Sequence, residues 1–193
     1  MAIDIGQLRR ETARGRGAPG AALAAAADLV QLIAFVAAGV ESALPIERIR
    51  EILEVKGLRP HPAATGDLRG LLPLPSGATP LLDLGARLGG GETVLTRLCC
   101  ALVLERPFPG GQPLALLVGE VRDLVSAPRA DLAQAPRLGA APGAFGEVAR
   151  LAGRLLPILD LDLLLTADDE ARAAAMADQR PATRAPGAPP PHP

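Results

Sequence analysis

Ala43-Leu44-Pro45-Ile46-Glu47-Arg48-Ile49-Arg50-Glu51-Ile52-Leu53 returns 72 positions later as Ala115-Leu116-Leu117-Val118-Gly119-Glu120-Val121-Arg122-Asp123-Leu124-Val125. Six apolar positions keep their phase between the copies. Further on, Pro80-Leu81-Leu82-Asp83-Leu84 recurs 77 positions later as Pro157-Ile158-Leu159-Asp160-Leu161. The five extra residues fall in loop, and a glycine expected to open a strand precedes each copy (Gly70, Gly146). Each copy reads as a strand, a short turn centred on Ile46–Arg48 or Gly119–Glu120, and a second strand leaving in a new direction, as at the corner of a small barrel. In the Pro-apolar-apolar-Asp-Leu element the apolar residues face a core. The Asp bonds nearby backbone N–H groups and stops the strand. A unit present twice predicts two small barrels packed together.

Outward from the repeat, residues 30–166 are short apolar runs divided by Gly and Pro, a pattern of barrels rather than of a helical bundle. The predicted strands are Val30–Val36, Val40–Leu44, Ile49–Val55, Gly70–Leu74, Ala78–Leu82, Leu95–Leu104, Leu114–Val118, Val121–Val125, Val148–Leu151 and Arg154–Leu159. The fold class expected is therefore mainly all-β: two packed five-stranded β-barrel subdomains with short terminal helices. Residues 1–28 are expected to be a mobile extension holding a short Ala-rich helix from Ala21. Residues 29–167 form the folded domain, and 168–193 a short polar helix followed by a disordered Pro-rich tail.

Composition narrows function. Aromatic residues make up 2% of the chain, too few for stacking bases, and the formal charge of -1 supplies no basic field for a phosphate backbone. A small nucleic-acid-binding barrel is the reading these two facts oppose. Cys99 and Cys100 are adjacent, so in a strand they point to opposite faces and pack rather than bridge. Two cysteines and two histidines (His61, His192) lack the spacing of metal ligands, and no cofactor is expected. The apolar stretch Ala21–Val40 is too weak to span a membrane, since Asp28 near its middle costs about 2.5–3.5 kcal/mol. The expected location is the cytoplasm, without direct membrane insertion.

Catalytic patterns are equally thin. Asp160 and Asp162 are read as two apart on a strand, among leucines that look like core. Ser42, Ser76 and Ser126 have no histidine to pair with except His61 in a Pro-rich loop, and Gly89-Gly90-Gly91 lacks the Lys-Ser/Thr of a phosphate loop. The chain is not expected to be an enzyme.

The repeat resembles the CheW-type coupling proteins of bacterial chemotaxis. Leu32-Ile33-Ala34-Phe35 with Gly39 is similar to the family's opening strand pair, and Ala43 to Ile52 to its "ALPI-x-x-V-x-E-I" segment. Pro80-Leu81-Leu82-Asp83-Leu84 resembles "P-V-I-D-L", and Leu117-Val118-Gly119-Glu120-Val121 resembles "VD-x-V-x-x-V". The resemblance implies a non-catalytic adaptor. One barrel surface would bind the regulatory domain of a CheA-type histidine kinase, and a groove between barrels would take the cytoplasmic tip of a methyl-accepting chemoreceptor in arrays at the inner membrane face. The residues matching partner-facing positions are Ile49, Glu51, Arg69, Pro73 and Pro75.

For each of these a purely structural reading stands alongside. By alternation Ile49 and Glu51 share a face and Ile52 takes the other. Arg69 is either a surface charge or a contact at the family's Lys position. Pro73 and Pro75 either stiffen an edge strand or change partner choice. Pro75 occupies the place of a family arginine and Gly85 that of another, while Gly119 replaces an aspartate. The lost arginine favours an alternative in which the module serves a pilus or gliding pathway and binds only one of the usual partners.

Overall fold

A computed structural model describes residues 28–135, 143–151 and 153–178. Residues before Asp28 and after Asp178, including most of the expected N-terminal helix and the Pro-rich tail, lie outside the described residues. Leu29, expected at the end of that helix, already opens a strand.

The strands are β1 (Leu29–Ala37), β2 (Val40–Pro45), β3 (Ile49–Glu54), β4 (Leu68–Leu72), β5 (Thr79–Asp83), β6 (Cys100–Leu104), β7 (Ala115–Val118), β8 (Glu120–Pro128), β9 (Leu132–Gln134), β10 (Phe145–Leu151) and β11 (Arg154–Leu159). Three short or C-terminal helices accompany them: α1 (Leu84–Arg87), α2 (Leu161–Leu164) and α3 (Ala167–Asp178). One sheet runs β3-β6-β7-β5-β4 and the other β8-β1-β2-β11-β10-β9. From β1 and β2 in the second sheet the chain crosses to build the whole of the first, β3 to β7, and returns at β8, so the second sheet is interrupted by the first.

The internal repeat holds at the level of register. Ile52 pairs with Leu102 and its counterpart Leu124 with Ile33; parallel Leu81–Ala115 is matched by parallel Ile158–Ala43. Even the bulges repeat. Arg50 is skipped between β3 and β6 as Arg122 is between β8 and β1, and Arg69 is skipped between β4 and β5 as Gly146 is between β10 and β11. Gly146 is thus the counterpart of Arg69, not of Gly70 as the sequence pairing had it. The sixth strand, β9, has no counterpart and continues the second sheet past the repeat.

Three apolar clusters explain why β6 and β7 are continuous hydrophobic runs rather than alternating ones. Ala101, Val103, Ala115 and Leu117 face a cluster belonging to the first sheet, with Leu72, Leu81 and Cys99. Leu102, Leu104, Leu116 and Val118, on the opposite face, enter a larger cluster shared with Ile33, Phe35 and Leu44 of the second sheet and with Met176 of α3. A third cluster, built on Leu32, Ala34, Ala43 and Ile158, belongs to the second sheet alone. A strand buried on both faces needs apolar residues at every position. The shared cluster joins the halves into one body, and Cys99 and Cys100 do face different clusters.

The bulge at Arg50 overturns simple alternation in β3. One extra residue shifts the pleat, so Ile49 and Ile52 both enter the shared cluster while Glu51 stays half-buried outside it. The predicted strand Leu95–Leu104 is also shorter than expected. Residues 94–99 form a loop closed on itself, with Thr96 N–H bonding Cys99 Sγ and Cys99 N–H bonding the Thr96 carbonyl, 3.3 and 3.2 Å. Among the described residues no helix is long and apolar enough to cross a membrane, and residues 29–37 of the apolar Ala21–Val40 stretch are strand.

Candidate docking surfaces

The chain's passage from one sheet to the other creates a concavity. Pro45 ends β2, and Ile46–Arg48 make one 3-10 turn whose first carbonyl accepts the Ile49 N–H, turning the chain into β3. Across from this corner stand β10, β11 and α2 of the second unit. Together they enclose a groove of about 740 Å³. Its apolar lining includes Pro45, Phe145, Ile158, Leu161 and Leu163, and its charged lining is Glu47, Glu147, Asp160 and Arg48. Leu163 is 56% exposed at the groove edge. Arg48 reaches Asp162 at 3.4 Å, an exposed pair, and its Nε has no hydrogen-bond partner among the described residues.

Asp160 and Asp162 do not sit on a strand. The strand stops at Leu159, and Asp160 Oδ1 accepts the Asp162 N–H at 2.9 Å, capping α2. Its counterpart Asp83 caps α1 through Ala86 N–H at 3.2 Å. The Asp of each Pro-apolar-apolar-Asp-Leu element therefore ends a strand and starts a helix.

Asp83 carries more bonds than a cap needs. It is fully buried and accepts from Arg69 (2.8 Å), Thr93 N–H (2.8 Å) and Thr93 Oγ1 (2.6 Å) as well as Ala86. Burial pushes its carboxyl up, but the Thr93, Ala86 and Arg69 bonds outweigh that and hold it below the usual carboxylate range. Gly85 belongs to the same arrangement, since a Cβ there would stand 2.6 Å from Thr93 Oγ1.

A second ionic cluster ties α3 down. Arg87 bonds Asp169 in bidentate fashion, 2.6 and 3.0 Å, donates to the Leu164 carbonyl at 2.8 Å, and pairs with Asp67. Thr166 caps α3 by exchanging bonds with Asp169, and Arg172 reaches back to Asp67. Burial raises the Asp169 carboxyl, and Arg87 and Thr166 more than reverse this, leaving it below the ordinary value.

The five residues singled out from the sequence separate in the fold. Ile49 is wholly buried and supplies core, with no side-chain surface left for a partner. Glu51 is half-exposed on β3 beside Arg50, 3.1 Å away. Arg69 is largely buried and turned inward to Asp83, with Glu92 at 2.9 Å. Pro73 and Pro75 are exposed in the connection after β4. Strands β3 and β4 end the sheet order on opposite sides, so these residues are not one cluster. Sequence reasoning placed a groove between the barrels but did not name Glu47, Phe145, Glu147 or Leu163 in it. The available signal was the second copy of the β4 segment, where Gly146-Glu147 replaces Arg69-Gly70. Of the serines, Ser126 pairs with Gln31, and Ser42 is buried with its Oγ unbonded among the described residues. Among the described residues no group of three or more His, Cys, Asp or Glu is placed to hold a metal.

Two copies of one β unit, sharing a core and open at the crossing, define a duplicated β docking module. The chain belongs to the CheW-like domain family, whose model matches residues 31–169. Its fold is similar to that of the scaffolding protein TtCheW from Thermoanaerobacter tengcongensis, with a TM-score of 0.64, 19% identity, and coverage of 72% of this chain and 94% of that one. No curated protein matches the chain.

Proposed function

We propose that this protein is a non-catalytic coupling adaptor in bacterial chemosensory signalling, holding the cytoplasmic tip of a chemoreceptor in the groove between its units and a CheA-type histidine kinase on a barrel surface. The observation that carries this reading is the extent of the family match, which runs through both units and the crossing between them. The work required is positional. Two weak docking faces on one rigid body raise the effective concentration of kinase beside receptor, and receptor conformation then biases kinase activity. The shared core supplies that rigidity. In the cell such an adaptor is cytoplasmic and recruited to receptor arrays.

Reconstitution tests this: receptor signalling fragments in vesicles, purified kinase and the adaptor are sedimented together and kinase autophosphorylation is measured. The adaptor should bring kinase into the pellet and raise its activity several-fold. Sedimentation of the kinase unchanged by the adaptor would contradict it. A second reading has one observation in its favour, the exposed Pro75 where the family has arginine. It offers neither charge nor N–H, as in a module of a pilus or gliding pathway that has kept only one partner. In that case one binary complex forms and the ternary one does not.

A further inference from the structure

The groove has a definite electrostatic character. Glu47, Glu147 and Asp160 line it, and none of the three joins an ion pair among the described residues. Among the described residues the one cation of the lining, Arg48, is drawn toward Asp162. Among the described residues an excess of carboxylate thus stands beside an apolar lining in which Phe145 is half-exposed and Leu163 largely exposed. Unpaired surface charge beside an apolar anchor site suppresses partners of like charge and favours those of opposite charge. Resting on the reading of this groove as the receptor cleft, we propose that its occupant is a cationic amphipathic helical segment, with apolar anchors on Phe145 and Leu163 and Lys or Arg side chains toward Glu47, Glu147 and Asp160. Two of these carboxylates can be changed without harm to the fold. Glu47 is exposed and Glu147 half-buried, whereas Asp160 caps α2 and is left alone.

The test uses the full chain and two fluorescein-labelled synthetic helical hairpins of identical leucine anchors, one flanked by lysines and one by glutamates, read by fluorescence anisotropy. The lysine hairpin should bind roughly tenfold tighter, with the gap closing at high salt. In the Glu47→Lys/Glu147→Lys protein, checked for an unchanged circular dichroism melt, the preference should invert. Leu163→Asp separates the two ideas. If it weakens both hairpins while wild type takes them equally, the groove reading stands and the charge proposal is overturned. If it leaves lysine-hairpin binding unchanged, or if the lysine hairpin does not bind at all, the proposal falls together with the groove.

Discussion

Asp83 is a carboxylate without exposed surface that receives four hydrogen bonds, and its partner Arg69 is itself mostly inside. Removing one side of a buried pair strands the other. Asp83→Asn should therefore cost about 3 kcal/mol in urea denaturation, and a loss near zero would show that the pair is dispensable. Acid should act on the same sites. Asp83 and Asp169 have carboxyls below the ordinary aspartate value of 3.8 in the fold. Their contribution is complete above that value and disappears as pH falls through the lower folded one. Thermal melts should thus be flat from pH 7 to about 5 and drop below about pH 4; an unchanged melting temperature at pH 3 would refute this. The sequence showed the aspartates of both repeats, and their bonds to backbone N–H groups at a strand's end, but neither the helices they start nor the burial of Arg69. Its partner Thr93 lies ten residues past Asp83 in a loop with no repeat counterpart to reveal it.

Elements were legible where both copies agreed. The offsets of 72 and 77 predicted strands whose register the fold repeats pair by pair. Failures came from local geometry that composition hides. Leu95 and Leu98 are apolar enough to read as strand, yet they are exposed, Leu98 by 61%, because Thr96 and Cys99 close the segment into a loop. β9 has only three residues, too few for a period to detect. The Arg50 bulge reversed the faces of β3. Gly70 is the clearest backbone requirement: its φ is +138°, and a Cβ would lie 2.3 Å from the Arg59 carbonyl oxygen, where Arg59 pairs with Leu71 across the edge of β4. Gly70→Ala should destabilise by about 3 kcal/mol or more. Gly77→Ala, with positive φ but open space, should cost about 1–2 kcal/mol, and equal losses in chemical denaturation would contradict the steric argument. For α3, Asp169→Ala removes both the Arg87 pair and half of the cap. Hydrogen exchange should show the helix amides losing most of their protection while β6 and β7 keep theirs; uniform loss would mean that the clamp serves the whole domain.

At the scale of the molecule, duplication and crossing account for both the shared core and the groove. β1 and β2 precede the first unit in sequence but belong to the second sheet, so the second unit is split in the chain around the first. The groove lies where β2 turns into β3, the one segment that the repeat marked most strongly. Nuclear magnetic resonance can examine that placement directly: a receptor signalling-tip fragment is titrated into the isotopically labelled protein and amide shifts are mapped. Binding should move the signals of Glu47, Arg48, Phe145, Glu147 and Leu161–Leu163 and leave those of β4 and its Pro73–Pro75 turn in place. Shifts confined to the β4 edge, or none at saturating fragment, would contradict the account.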